Sequence, residues 1–77
     1  MYDKLNEIFR RIFQDDSINV TPEMNANDVD GWDSITHAEM IAEVEKAFGV
    51  KFKLREITRW KNVGDMVASL EKHGATA

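Results

Sequence analysis

A chain of 77 residues with a formal net charge of −4 and no cysteine is one domain, near the lower size limit for a self-sufficient hydrophobic core. Fourteen acidic side chains against ten basic ones argue against a nucleic-acid partner, because phosphate contacts are made by basic surface. Without cysteine, disulfide frameworks and thiolate metal sites are excluded, so covalent thiol chemistry would have to come with a cofactor.

Leu5, Ile8, Phe9, Ile12 and Phe13 recur at the spacing of one apolar helix face, which predicts a first amphipathic helix over residues 3–14 with Asp3 as its cap. The N-terminal Met1-Tyr2-Asp3-Lys4 lacks the basic-then-apolar order of a secretion signal, and no apolar run reaches membrane-span length. A cytoplasmic protein without membrane insertion is therefore expected. Residues 15–33 carry Asp15, Asp16, Glu23, Asp28, Asp30 and Asp33 with no Lys or Arg, beside Thr21-Pro22, Asn25, Asn27 and Gly31, and read as an acidic loop. From Ile35, the residues Ala38, Ile41, Ala42, Val44 and Phe48 follow at steps mostly of three and four. They predict a second helix from about Ser34 to Phe48, capped by Asp33 or Ser34 and stopped by Gly49.

Val50 and Phe52 alternate with Lys51 and Lys53, but four residues without a pairing partner make no sheet, so they read as a connector with two apolar anchors. A short third helix, about Leu54 to Trp60, would turn Leu54, Ile57 and Trp60 inward. Asn62 then caps a fourth helix, with Asp65 at the capping-box position, an apolar stripe of Val63, Met66, Val67 and Leu70, and Gly74 at its end. The expected fold is all-α: a small four-helix bundle with three longer helices and one short one, forming a single domain over residues 1–77.

Ser34 is the residue of greatest chemical interest. Asp28, Asp30 and Asp33 precede it and an amphipathic helix follows, so its hydroxyl should be exposed. In the first helical turn, free N–H groups and the positive end of the helix dipole favour a phosphate ester there. A lone serine in this position would be an ordinary cap. His37, three residues on, suggests a base for a nucleophile, yet there is no Gly-x-Ser-x-Gly elbow and too little chain to enclose a substrate, so no enzyme is expected. Asp28, Asp30 and Glu39 fall at positions 1, 3 and 12 of a calcium loop, but Trp32 and Asp33 occupy positions 5 and 6, and no dedicated metal site is expected. Trp60 reads as core and His73 as a solvated residue near a helix C-terminus. Trp32 either folds the acidic loop onto the bundle or offers a flat apolar surface beside Ser34; the sequence leaves both open.

The run Gly31-Trp32-Asp33-Ser34-Ile35, followed by Glu39, Ile41, Val44, Glu45, Phe48, Gly49, Val50 and Phe52, resembles the acyl carrier proteins and related carrier domains, in which Asp-Ser-Leu opens the second helix. The resemblance spans roughly residues 3–73, and Ile35 stands where Leu is usual. It implies a covalent 4′-phosphopantetheine arm on Ser34, holding an acyl, hydroxyacyl or aminoacyl group as a thioester. Implied partners are a phosphopantetheinyl transferase, an acyl-activating or acyl-transferring enzyme and a downstream synthase or transferase, serving a monomeric carrier. They would dock on Asp33, Ile35, Ala38, Glu39, Ala42, Glu43 and Glu45.

Thr36 and His37 are uncharged, Lys46 interrupts the second helix, and Lys51, Lys53, Arg55, Arg59 and Lys61 lie within eleven residues. These departures favour a carrier dedicated to one pathway over a general fatty-acid-synthesis role. Fatty-acid, polyketide, lipid-modifying and aminoacyl carriers share the pattern. The alternative is a helical interaction module of the same fold that never carries the arm.

Overall fold

The computed structural model describes residues 1–75. In chain order it contains α1 (Tyr2–Phe13), a single 3-10 turn (Ala26–Asp28), α2 (Ser34–Phe48), α3 (Leu54–Ile57) and α4 (Val63–Lys72). The fold is all-α, with three longer helices and one short one, as expected; among the described residues there is no strand. No helix among them is long and apolar enough to cross a membrane.

Amphipathic spacing builds the core. Leu5 and Phe9 of α1, Met40 and Val44 of α2, and Met66 and Leu70 of α4 are almost wholly removed from water, and α1 lies against α2. The α1 helix begins one residue before the expected start and is preceded by Met1, which makes no side-chain cap. Asp3 is therefore not the cap. It lies inside the first turn, where its charge still suits the helix dipole.

The long acidic segment proves to be part of the core as well as a loop. Ile18, Val20 and Val29 are buried, and the polar groups around them are matched one by one. Arg10 Nε donates to the Ile18 carbonyl at 2.8 Å, and its Nη2 donates to Asn19 Oδ1 at 2.8 Å. The Val20 N–H donates to Asn6 Oδ1 at 2.7 Å. At the other end, the N–H groups of Val63 and Gly64 donate to the carbonyls of Met24 and Pro22, each at 2.8 Å. Gly64 suits this close approach: a Cβ would stand 3.0 Å from the Pro22 carbonyl oxygen, so the segment would have to give by a few tenths of an ångström.

The second half corrects several expectations. The α3 helix ends at Ile57, and Leu54, expected inward, is 74 % exposed. One helical turn presents only one inward face, and Ile57 takes it, half-buried against the core. Trp60 follows the helix, meets Phe52 edge-on at 4.8 Å and donates its indole N–H to Ser69 Oγ at 2.9 Å. Phe48, expected in the core, is only half-buried, with Lys4 Nζ 5.3 Å from its ring centre. Asn62 caps α4 by accepting from the Asp65 N–H at 3.0 Å, but the Asp65 carboxylate accepts from Lys61 N–H rather than closing a box on Asn62. His73 is exposed at the end of α4, as expected, but it is not free of partners. Its Nε2 lies 3.1 Å from both oxygens of Glu56 and its ring meets Phe52 edge-on at 5.6 Å, tying the end of α4 to α3. Gly49, with φ 66°, ends α2 where expected.

Candidate functional site

The chain turns sharply into α2 at Gly31, whose φ of +84° lies in the left-handed region that favours glycine. The turn is held by the Trp32 N–H on the Val29 carbonyl at 3.3 Å. Asp33 is then extended, and its Oδ1 accepts from the N–H groups of Ile35 at 2.9 Å and Thr36 at 3.0 Å. The Thr36 N–H, and after it the Ile35 N–H, holds the Asp33 carboxyl below the usual carboxylate range. Thr36 returns the bond: its hydroxyl accepts from the Asp33 N–H at 2.8 Å and donates to the Gly31 carbonyl at 2.7 Å. This reciprocal cap fixes both sides of residue 34.

Ser34 is the first residue of α2 and is exposed. Its hydroxyl makes no hydrogen bond among the described residues. It borders an open depression whose other walls are Ala26, Trp32, Asp33 and His37. Behind it, sharing Trp32 and His37, lies a more enclosed cavity of about 120 Å³ that also meets Met40, Trp60, Val63 and Met66.

Trp32 does both things the sequence left open: it walls the depression beside Ser34 and folds the loop onto the bundle. Its ring meets Phe9 edge-on at 5.4 Å and Phe13 at 5.6 Å, joining loop to α1. Its indole N–H donates to His37 Nδ1 at 3.0 Å, joining loop to α2. Because an indole can only donate, His37 Nδ1 must be unprotonated, and the neutral ring carries its proton on Nε2. Burial pushes the His37 imidazole below its ordinary value of 6.5, favouring the same neutral state.

The outer face of α2 carries most of the residues expected to meet partners. Asp33, Ile35, Ala38, Glu39 and Ala42 are exposed, Ile35 to 70 %. The other two have partners within the chain: Glu43 Oε2 accepts from Arg11 Nη2 at 2.7 Å, and the Glu45 carboxylate accepts from the Phe52 N–H at 2.7 Å. Sequence reasoning missed this role of Glu45, because no local pattern signals a bond between residues seven apart across a helix end. It also missed the Trp32–His37 bond, which joins residues five apart across a turn.

Chemically, the site offers a hydroxyl that makes no hydrogen bond among the described residues and stands at a rigid helix start. His37 Nδ1 is already occupied, and among the described residues no group of three or more His, Cys, Asp or Glu is placed to hold a metal. A phosphate ester on Ser34 fits this setting: the hydroxyl faces solvent, the dipole of α2 favours negative charge, and the nearby Asp33 carboxylate is engaged by two N–H groups.

Comparison with known proteins points the same way. Residues 3–70 match the family described as phosphopantetheine attachment site. The chain is 32 % identical over 63 residues to acyl carrier protein AcpXL of Brucella melitensis and, equally, to that of Brucella suis, covering 82 % of this chain and 68 % of each relative. It superposes on the solution structure of a holo acyl carrier protein from Geobacter metallireducens with a TM-score of 0.86 and 44 % identity, covering 94 % of this chain and 83 % of that one.

Proposed function

This chain belongs to the acyl carrier proteins of the phosphopantetheine-attachment family, and we propose that it works as a cytoplasmic, monomeric, pathway-dedicated carrier whose arm is attached through Ser34. Its cofactor is covalent 4′-phosphopantetheine, which when attached supplies a thiol that holds an acyl group as a thioester. The chain's own contribution is placement. The observation that carries the assignment to Ser34 is its exposed, unengaged hydroxyl on the first residue of α2, locked between the Asp33 and Thr36 cap bonds. A modifying transferase would supply the base, so the carrier needs only to hold the oxygen still and accessible. The exposed face of α2, with Ile35 as an apolar contact and Glu39 as a charge, is the surface proposed for that transferase and for acyl-handling enzymes.

A dedicated pathway role is supported by the basic run. Lys51, Lys53, Arg55, Arg59 and Lys61 are all exposed, and the one acid among residues 51–61, Glu56, is turned to the Lys53 N–H and His73. Such a surface differs in sign from the acidic approach to Ser34 and gives a downstream synthase or transferase a separate feature to recognise.

Intact mass spectrometry after incubation with a phosphopantetheinyl transferase and coenzyme A tests the reading. The wild type should gain one arm, Ser34→Ala none, and Ser17 and Ser69 should not substitute. An unchanged wild-type mass would favour an interaction module of the same fold; an arm mapped to another serine would remove Ser34 from the site.

A further inference from the structure

Two indole N–H groups in this molecule are engaged by side chains, and they differ in one respect that matters. Trp60 donates to the Ser69 hydroxyl, which does not titrate in the physiological range; Trp32 donates to His37 Nδ1, which does. The second bond sits next to Ser34. Trp32 stands two residues before Ser34, and His37 is the first residue whose N–H enters the α2 ladder, on the Asp33 carbonyl at 2.8 Å. The pair thus brackets the attachment residue, outside the inner bracket made by Asp33 and Thr36.

We propose that Trp32 and His37 form a latch that positions Ser34 for modification, and that the latch opens when His37 takes up a proton. This rests on the reading of Ser34 as the attachment residue. The chemistry is one-sided: an imidazolium carries N–H on both nitrogens, so its Nδ1–H would face the indole N–H, two donors with no acceptor between them. The rings lie 6.1 Å apart and 26° from parallel, and because Nδ1 is the atom that accepts, protonating it costs the bond.

Trp32 would then keep only its ring contacts to Phe9 and Phe13. Two charged side chains border the pair. Asp33, from the loop, spends its carboxylate on Ile35 and Thr36; Lys61, from the connector before α4, lines the same cavity as His37; α1 meets Trp32 through the rings of Phe9 and Phe13. An open latch removes the one side-chain bond from the loop to α2 outside the cap, leaving the segment from Gly31 to Asp33 with the cap, the Trp32 N–H on Val29 and the ring contacts to α1, and Ser34 less firmly placed.

Three variants separate positioning from mere packing. Trp32→Phe keeps an aromatic ring but removes the donor. His37→Leu removes the acceptor. His37→Asn keeps an acceptor oxygen in the Nδ1 position but cannot take a proton. With the full chain, the side-chain N–H resonances of Trp32 and Trp60 are followed by NMR from about pH 8 to about pH 5, and the rate of arm transfer from coenzyme A is measured for each protein.

The Trp32 resonance should move with His37 titration in the wild type and stay still in His37→Asn, while Trp60 stays still in both. Arm transfer at about pH 7.5 should fall about fivefold in Trp32→Phe and in His37→Leu, as expected for loss of one hydrogen bond, and return towards wild type in His37→Asn. A Trp32 resonance that ignores His37 titration would overturn the latch. Equal transfer rates for wild type, Trp32→Phe and His37→Leu would overturn its positioning role. Failure of the wild type itself to accept the arm would instead reject the carrier reading.

Discussion

A neutral imidazole at position 37 serves this fold better than a charged one, because it is half-buried and its Nδ1 must accept from Trp32. The sign of the resulting pH dependence is fixed by linkage. With the folded value below the ordinary 6.5, the unfolded chain binds more protons in the window between the two, so stability rises with pH across it. The contribution is complete above the ordinary value and is lost as pH falls through the folded one. The urea midpoint of the wild type should therefore drop between about pH 7.5 and about pH 5.5, and that of His37→Asn should drop less. Coincident curves over that interval would show that His37 titrates alike in the folded and unfolded chains. Asp33 and Glu56 act lower: their carboxyls are held below the ordinary range by the N–H groups of Thr36 and Lys53 respectively, so their contributions vanish only in stronger acid.

At the scale of the elements, the difference between a side chain on a helix and a side chain in the core becomes measurable. Leu70 lies on the inward stripe of α4 with no exposure, and Leu70→Ala should cost about 3 kcal/mol through lost burial and a cavity. Phe48 closes α2 but stands at the rim, with the Lys4 ammonium over its ring. Phe48→Ala should cost about 1.5 kcal/mol, below the range for a fully buried phenylalanine. Leu54 opens α3 facing solvent, so Leu54→Ala should change stability by less than about 0.5 kcal/mol. Urea denaturation of the three variants gives the order directly; a Leu54→Ala loss comparable to that of Leu70→Ala would mean that α3 docks with its first residue inward.

Across the whole molecule the charges fall into two regions, and they should answer different partners. Of the three glutamates expected on the docking face, Glu43 and Glu45 already have partners within the chain, while Glu39 is exposed and makes no ion pair among the described residues. Glu39→Lys should therefore slow arm transfer mainly by raising KM, with an effect that fades as salt shortens the screening length from about 10 Å at 0.1 M towards about 3 Å at 1 M. The double reversal Arg55→Glu/Arg59→Glu should spare the modifying transferase and impair a downstream acyl-accepting enzyme. Steady-state kinetics with both enzymes at low and high salt checks this. Equal rates with the double variant throughout would leave the basic run a solvated face and α2 the whole recognition surface.

The sequence by itself determined the helices whose apolar residues repeat over several turns, the stop at Gly49, the cap at Asn62, the choice of Asp33 or Ser34 for the cap of α2, and Ser34 as the position matching the family motif, because each depends on neighbours within a few residues. Tertiary structure decided what depends on partners distant in the chain. Nothing local distinguishes Leu54, exposed, from Ile57, half-buried, in a helix of one turn. Nothing local shows that Ile18, Val20 and Val29 turn an acidic loop into part of the core, or that Glu45 looks back to the Phe52 backbone and His73 to Glu56. The same holds at the site. Trp32 could face solvent or the bundle until Phe9 and Phe13 of α1 were in place to receive it, and only that packing brings its N–H to His37 beside Ser34.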